Sequence, residues 1–172
     1  SNGQITILNS EFLNNHGNEV LSTSSRLDIQ NSKFQNNEGS SVVIGASSTS
    51  ENHVFTKVDI TNNQALGGIS IRDGAISHCT IANNGGPALD YINFDNGSAD
   101  HIIIVNSIFY SNLDSMFDEI QLTDNEDTAL LLDISFSDVR GGIEGITSLN
   151  ENHTLNWFET NIDLDPSFLN PD

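Results

Sequence analysis

The sequence NSEFLNN at residues 9–15 returns as NSKFQNN at residues 31–37 and as NSIFYSN at residues 106–112. Each copy follows a short segment in which apolar and polar residues alternate. The first two copies start 22 residues apart (31 − 9), and the third starts 75 residues after the second (106 − 31), or three units of 25. Recurrence at such a spacing is typical of a repeat protein.

Weaker copies of the motif fill the remaining sequence. They read KVDITNNQALGG from residue 57, AISHCTIANNGG from residue 75 and LLLDISFSDVRGG from residue 130. Between the copies lie SVVIG, GGISI, ALDYINF and EIQLT, which we interpret as further strands of the same units. The apolar spacing is two rather than 3.6 throughout, which favours strands over helices.

A unit of this length with two or three short strands predicts one coil of a solenoid. Successive coils stack at about 4.8 Å, the ordinary distance between strands. The predicted fold is all-β, a right-handed single-stranded parallel β-helix of about six coils. The competing interpretations are a leucine-rich repeat, whose leucine and asparagine spacing is absent, and a β-sandwich, which gives no reason for one motif at every turn.

Stacked coils place equivalent residues above one another, which assigns a role to each repeated residue type. The motif Phe and its replacements are predicted to form one interior column: Phe12, Phe34, Ile81, Phe109 and Val139. Asn tolerates the left-handed backbone of sharp turns, and stacked amides can bond from coil to coil. This structural role is predicted for Asn14, Asn15, Asn36, Asn37, Asn62, Asn63, Asn83, Asn84 and Asn112. The alternative is that the Asn rows bind sugar hydroxyls or ice-like water, although no T-x-T row supports ice binding.

The charge balance restricts the possible partners. Five Lys and Arg against 24 Asp and Glu give a formal net charge of −19. Such a surface repels nucleic acid and anionic lipid, so we expect no nucleic-acid partner, whereas Ca²⁺ is a natural counterion. No apolar run of about 18 residues is present, so we expect no membrane insertion.

The single cysteine and the chain termini give two further expectations. Cys79 has no partner for an internal disulfide, and its position in SHCTI predicts an inward side chain that acts as a small hydrophobe, with a reactive thiol as the alternative. We interpret residues 1–172 as one β-helix domain. Because the sequence lacks an initial Met and a signal peptide, we expect it to be a segment of a longer protein.

The repeat resembles the right-handed parallel β-helix repeat family of secreted and cell-surface bacterial proteins. The part from SDVRGGIEG (residues 137–145) to NWFETNIDLDPSFLNPD (residues 156–172) resembles the ending that large exported members carry near their last coils. The resemblance implies an extracellular or cell-surface location, with residues 156–172 as the end of the solenoid. The family includes polysaccharide lyases, glycoside hydrolases, adhesins and proteins without known activity, so the fold does not settle the function.

Two acidic regions are candidates for cation binding. Asp163 and Asp165 stand two apart, so on an extended segment both carboxylates face one side, and with Asn161 they could begin a Ca²⁺ site. The alternative is a capping turn in which Asp165, before Pro166, bonds backbone amides. The second region, residues 114–127, reads either as a solvated acidic loop or as a weak divalent-cation site.

The candidates for catalysis are few. Asp28, Asp59 and Asp133 share an x-Asp-Ile pattern and are predicted to stack as a carboxylate row of the kind a glycoside hydrolase needs, or simply as outward polar positions. A lyase would need a base such as Lys33 near a metal, and the five His share no zinc spacing. We therefore assign no catalytic residue.

These observations favour a non-catalytic extracellular segment that serves as a surface structural, adhesin or assembly component. Its expected partners are neighbouring protein subunits or cell-surface polysaccharide, and its expected cofactor is at most Ca²⁺. The alternatives are a carbohydrate-active β-helix, lyase or hydrolase, and a carbohydrate-binding module.

Overall fold

The alternating segments form the strands of a parallel β-solenoid. The computed structural model describes residues 3–46, 52–64, 67–93, 99–110, 112, 119–124, 128–147 and 150–167. Its strands are β1 (Gln4–Leu8), β2 (Glu11–Leu13), β3 (Leu21–Thr23), β4 (Arg26–Gln35), β5 (Val42–Ala46), β6 (His53–Thr61), β7 (Gly67–Ile71), β8 (Gly74–Ser77), β9 (Thr80–Ala82), β10 (Leu89–Asn93), β11 (Ala99–Val105), β12 (Ile108–Tyr110), β13 (Ile120–Asp124), β14 (Ala129–Ser135), β15 (Asp138–Val139), β16 (Ile146–Thr147) and β17 (His153–Trp157). One short 3₁₀ helix, Gly142–Gly145, precedes β16.

The strands build three faces, and every strand pair is parallel. The first face contains β1, the first halves of β4 and β6, and then β8, β11, β14 and β17. The second face contains β2, the second halves of β4 and β6, and then β9, β12 and β15. The third face has the strand order β16-β13-β10-β7-β5-β3. Its six strands mark six passes of the chain, hence about five full turns from the first to the last.

Asparagines form many of the bends on either side of the second face, as the sequence predicts, although Lys57, His78 and Phe136 hold the left-handed position of the first of these bends in the other coils. At the bend between the first and second faces, Asn9, Asn31 and Asn106 have φ of 49°, 49° and 50°. At the bend after the second face, Asn14, Asn36, Asn62 and Asn83 have φ between 54° and 57°. These values lie in the left-handed region, which Asn adopts more readily than other residues with a Cβ. The first two asparagines of the motif therefore turn the chain.

The predicted interior column is confirmed and has one more member. Phe12, Phe34, Ile81, Phe109 and Val139 stack on the second face in the order expected. Ile60 lies between Phe34 and Ile81, in register with both and fully buried. The rings of Phe12 and Phe34 stack with centroids 4.4 Å apart. The copy from residue 57 thus contains the apolar motif residue, which the sequence analysis did not recognise.

Several other sequence predictions hold. The segments SVVIG, GGISI, ALDYINF and EIQLT supply β5, β7, β10 and β13. Cys79 is an inward residue with 2% exposure, and burial raises the pKa of its thiol to about 11. The right-handed path stays a prediction. In the part of the chain that the structure describes, no helix has the length and apolarity needed to cross a membrane.

Candidate functional site

The last Asn of each motif points inward and forms a ladder of amides. Its members, one from each of the first five coils, are Asn15, Asn37, Asn63, Asn84 and Asn112. In each step, the backbone N–H and the Nδ2 of one Asn donate to the Oδ1 of the Asn in the next coil. The four Nδ2–Oδ1 distances are 2.8, 2.8, 2.8 and 2.7 Å.

The ladder uses the second proton of each amide as well. Asn63 Nδ2 also donates to the Phe34 carbonyl oxygen at 3.1 Å, and Asn37, Asn84 and Asn112 make the equivalent bond to the preceding coil. These four side chains are at most 2% exposed. Their hydrogen-bonding groups are engaged inside the solenoid, so the predicted structural role of the Asn rows is confirmed for these residues and they are not free to bind a ligand.

The Ser of the motif forms a second row of hydrogen bonds at the preceding bend, and the row is interrupted in the third coil, where Val58 stands opposite Ser32. The backbone N–H of Ser10 donates to Ser32 Oγ at 3.1 Å, and those of Cys79 and Ser107 donate to Ser107 Oγ and Ser137 Oγ at 3.2 Å. Asn161 replaces Ser in the last coil and accepts from the Ser137 N–H through its Oδ1 at 3.0 Å. The motif Asn-Ser-x-Phe-x-Asn-Asn therefore specifies two bends, two rows of polar hydrogen bonds and one apolar column.

Glu119 ends the Asn ladder. The sixth coil has Gly142 where the other coils have the ladder Asn, as the register of Phe109 with Val139 requires. Glu119 supplies the missing acceptors, because its Oε1 and Oε2 accept from the backbone N–H and the Nδ2 of Asn112 at 3.3 and 2.7 Å. At 3% exposure, this carboxyl group belongs to the scaffold.

A buried ionic cluster lies where the third face leads into the first. Arg72 Nε donates to both carboxylate oxygens of Asp100, at 3.2 and 3.0 Å, and the two side chains are 7% and 6% exposed. The Tyr91 hydroxyl donates to Asp100 Oδ2 at 2.9 Å, and Asn93 Nδ2 donates to the same oxygen. Because three neighbours donate to this one carboxylate, its charge is compensated inside the fold.

A solvent-accessible polar group lies beside that cluster on the first face. His101 Nε2 lies 2.7 Å from Asp133 Oδ2, and Asn156 Nδ2 donates to Asp133 Oδ1 at 2.7 Å. Burial raises the pKa of the Asp133 carboxyl, but the hydrogen bonds from Asn156 and His101 outweigh burial, and the net pKa is lowered. The pKa of Asp73 is raised, chiefly by burial, although the His101 backbone N–H bonds to it. His101 thus joins two carboxylates whose acidities are shifted in opposite directions.

The predicted carboxylate row of Asp28, Asp59 and Asp133 is wrong. Asp28 lies opposite Thr6 and Val54 on the first face, whereas Asp59 lies opposite Lys33 and Thr80 on the second face. The x-Asp-Ile triplets look alike because apolar and polar residues alternate with period two on both faces. The triplet of Asp28, however, precedes the bend between the faces, and that of Asp59 follows it. Asp133 is on the first face between Ile103 and Asn156. Asp28 and Asp133 thus share one register position of the first face, but Val54, Ala75 and Ile103 lie between them, so the three residues form no continuous row of carboxylates.

The predicted calcium ligands lie in the extended segment that follows β17. Asp163 and Asp165 are both exposed, and Asp165 Oδ1 accepts from the Ser167 N–H at 2.8 Å, the bond expected of the alternative capping turn. The pKa of Asp138 is raised, mostly by burial and also by the charges of Asp163 and Asp165. Its Oδ1 accepts a hydrogen bond from the Leu164 N–H at 3.1 Å, which lowers this pKa. Within the described ranges no group of three or more His, Cys, Asp or Glu has the arrangement of a metal site. The calcium site stays a prediction.

The other predicted acidic region is mostly outside the described residues. Of residues 114–127, the structure describes 119–124, among them Glu119 of the ladder end. In the predicted end of the solenoid, residues 156–172, Trp157 packs partly buried against the core, and Phe158 is 50% exposed.

Sequence reasoning missed Glu119 and the Arg72–Asp100 pair, although one signal was present. Asp100 alternates with Ile102 and Ile104, so the period of two already placed its side chain on the inner side. Asn93 follows Leu89 and Tyr91 with the same parity. An Asp or Asn at an inward position of a strand predicts a buried partner, but not which residue supplies it.

Comparison with protein families, with curated proteins and with solved structures found no match.

Proposed function

We propose that this chain is a non-catalytic segment of an extracellular or cell-surface β-helix protein of the bacterial repeat family, where it serves as a structural, adhesive or assembly component. The observation that carries this proposal is the structural role of the polar residues that the motif repeats. Each repeated polar residue turns the backbone or bonds inside the solenoid, as Asn63 does through its backbone N–H, its Oδ1 and its Nδ2. Repetition of the motif therefore supports a scaffold rather than a row of ligand sites.

The charge supports a role among other surface components. With a net charge of −19, the chain repels polyanions in the absence of bridging cations, so its expected partners are neighbouring protein subunits or neutral cell-surface polysaccharide. Ca²⁺ is the expected counterion, with Asp163 and Asp165 as candidate ligands.

The proposal is tested by incubating the chain with neutral and uronic-acid polysaccharides, with and without Ca²⁺. We expect no new reducing ends and no unsaturated uronide products over the buffer control. Release of either product, lost in a variant of this chain's own acidic residues, would contradict the non-catalytic role. Binding without turnover, measured by calorimetry, would identify an adhesive role.

A second candidate function, glycoside hydrolysis, is supported by the polar group around His101. A carboxyl group of raised pKa beside one of lowered pKa is the pairing that acid–base hydrolysis uses. In this alternative Asp73 is the acid and Asp133 the base or nucleophile. If it holds, Asp73→Asn and Asp133→Asn each reduce product release by about a hundredfold or more, whereas Asp59→Asn, on the other face, leaves it unchanged.

The calcium proposal has its own measurement. If Asp163 and Asp165 bind Ca²⁺, millimolar Ca²⁺ raises the unfolding temperature of the wild-type chain and not of the Asp163→Asn/Asp165→Asn variant. Asp28→Asn/Asp59→Asn is the matched control, because it removes the same charge from outward positions elsewhere. An equal response of both variants would point to general charge screening and end the proposal of a site.

A further inference from the structure

The two bends beside the second face use different residues. At the bend after that face, Asn holds the left-handed position in each of the first four coils. At the bend before it, Lys57, His78 and Phe136 hold that position in the third, fourth and sixth coils, with φ of 55°, 57° and 52°. The left-handed backbone costs such residues more free energy than it costs Asn. The chain therefore accepts a backbone cost at one bend that it avoids at the other, and such costs are typical of functional positions.

Lys57 and His78 are neighbours in one column along this bend. Because Thr56 pairs with Ser77, the residues that follow them, Lys57 and His78, lie opposite each other in adjacent coils. Strands of adjacent coils are about 4.8 Å apart, and both side chains are exposed. Lysine is positively charged at neutral pH, and histidine gains its positive charge between about pH 8 and 5. Two groups that can carry positive charge are therefore exposed side by side.

The column leaves this charge without a carboxylate partner. Lys57 forms no ion pair with the described residues. His78 Nε2 lies 3.4 Å from Asn106 Nδ2, a neutral neighbour. In the first six coils the column contains no Asp or Glu, since Asn9, Asn31 and Phe136 hold its remaining positions.

The nearby second face shows how a balanced basic residue looks. Lys33 lies between Glu11 and Asp59, which hold the opposite positions in the coils on either side. Asp59 is two residues after Lys57, but the register places it beside Lys33. Lys57 and His78 thus form an exposed positive spot on a chain with a net charge of −19.

The size of this spot indicates the kind of anion that fits. Two adjacent coils give a spot about 5 Å across, enough for one or two carboxylates. A uronic-acid polymer carries a charge on every sugar and would extend over the rest of the chain, which repels it. A folded protein can present two carboxylates from adjacent strands at the same spacing, with neutral residues around them. Local complementarity of this kind selects a partner and fixes its register.

We infer that Lys57 and His78 form a contact point for a neighbouring protein subunit that presents two carboxylates from adjacent strands. The left-handed bend holds both basic side chains at the corner of the solenoid, where such a subunit can reach them. The inference rests on the proposed assembly role and names the chemistry of the partner.

The test titrates the intact chain with the capped peptide Gly-Glu-Gly-Glu-Gly and follows the amide NMR signals. At pH 5.5 and low salt, we expect shifts confined to residues 56–59 and 77–80. Because exposed ion pairs are weak and screened by salt, the shifts should disappear in 0.5 M NaCl. Binding should weaken from pH 5.5 to pH 8 as histidine loses its charge.

Variants that restore Asn to the bend remove the charge without disturbing the fold. We expect Lys57→Asn and His78→Asn each to weaken peptide binding by about threefold to fivefold. Both should raise the unfolding temperature, because Asn tolerates the left-handed backbone better. In His78→Asn the difference between pH 5.5 and pH 8 should also disappear. Lys33→Gln removes the same charge from the second face and should leave peptide binding unchanged.

Several results would overturn the inference. One is the absence of peptide-induced shifts at the bend, and another is equal binding by Lys57→Asn and the wild-type chain. Tighter binding of trigalacturonate than of the peptide would assign the spot to a polysaccharide instead. A lower unfolding temperature of both Asn variants would remove the argument from backbone cost. Each of these results leaves the digestion assays of the proposed function unaffected, so the two proposals can fail separately.

Discussion

Asn15 in the first coil and Asn63 in the third hold the same place in the motif, yet their surroundings differ. Asn63 is 2% exposed and bonds to the coils on both sides, whereas Asn15 is exposed and donates to one side only. A motif residue therefore gains its full stabilising effect only when a coil lies on each side of it. This dependence on neighbours is the physical basis of cooperativity in repeat proteins.

The interior column gives the largest contrast between the first coil and the coils above it. Phe34→Ala removes a fully buried ring between Phe12 and Ile60, and we expect it to lower the free energy of unfolding by about 3–5 kcal/mol. Phe12→Ala removes a half-buried ring and should cost about half as much or less. Urea unfolding of both variants measures the difference. Equal losses would show that the first coil is as tightly packed as the second.

The Asn ladder gives the next contrast. Asn63→Ala orphans the backbone N–H and the Nδ2 of Asn37 in a buried site, for an expected loss of about 3 kcal/mol. Asn15→Ala orphans no donor in a preceding described coil, and we expect a loss of about 1 kcal/mol or less. Neither residue has a positive φ, so alanine adds no turn strain. A comparable cost at both positions would refute the dependence on neighbours.

Glu119→Gln tests the closure of the ladder at the other end. An amide offers one acceptor oxygen where the carboxyl group offers two, so one of the two Asn112 bonds is weakened or lost. We expect a loss of about 1–2 kcal/mol in the free energy of unfolding. Glu144→Gln, at an exposed position in the short helix, is the matched control for the change of charge. A loss no larger than that of the control would mean that Glu119 does not stabilise the ladder end.

The smallest expected effect lies on the outer side of the third face, away from both ends. Burial raises the pKa of Asp90 from 3.8 to about 6, although a hydrogen bond with Thr123 lowers it, and Asp90 Oδ1 has no partner among the described residues. The native state therefore holds a proton that the unfolded state has released between about pH 4 and 6, so this residue makes stability fall as the pH rises. Asp90→Asn should stabilise the chain at pH 7 by about 1 kcal/mol, after allowance for partial exposure, and not at pH 3.5.

Asp133 is expected to change the free energy of unfolding with pH in the opposite direction to Asp90. Because its net pKa is lowered in the folded chain, its contribution is present at neutral pH and disappears as the pH falls below 3.8 through the folded pKa. Asp133→Asn should therefore destabilise the chain at pH 7 and lose its effect in acid. Unfolding curves of the two variants from pH 3 to 8 should diverge in opposite directions. If the stabilities of the two variants changed with pH in the same way, the opposite pKa shifts of Asp90 and Asp133 would be contradicted.

The sequence determined the repeat, the strand segments, the bend asparagines and the inward side chain of Cys79. Each of these follows from local rules: a period of two, the left-handed backbone that Asn tolerates, and recurrence of the motif. The resemblance in the ending at residues 156–172 suggested a class of protein, and the candidate ligands Asp163 and Asp165 came from the same segment. A local pattern was sufficient for these assignments because each concerns one coil.

Only the tertiary structure decided which residues of different coils meet. Successive residues of the Phe column are 22, 26, 21, 28 and 30 positions apart, since the turns vary in length. Spacing in the sequence therefore could not predict the register between coils. That register separates Asp59 from Asp28 and places Ile60 above Phe34. Glu119 and the Arg72–Asp100 pair were hidden for the same reason. Their partners lie across a turn of variable length, and contacts between coils depend on stacking of the whole solenoid rather than on any local period.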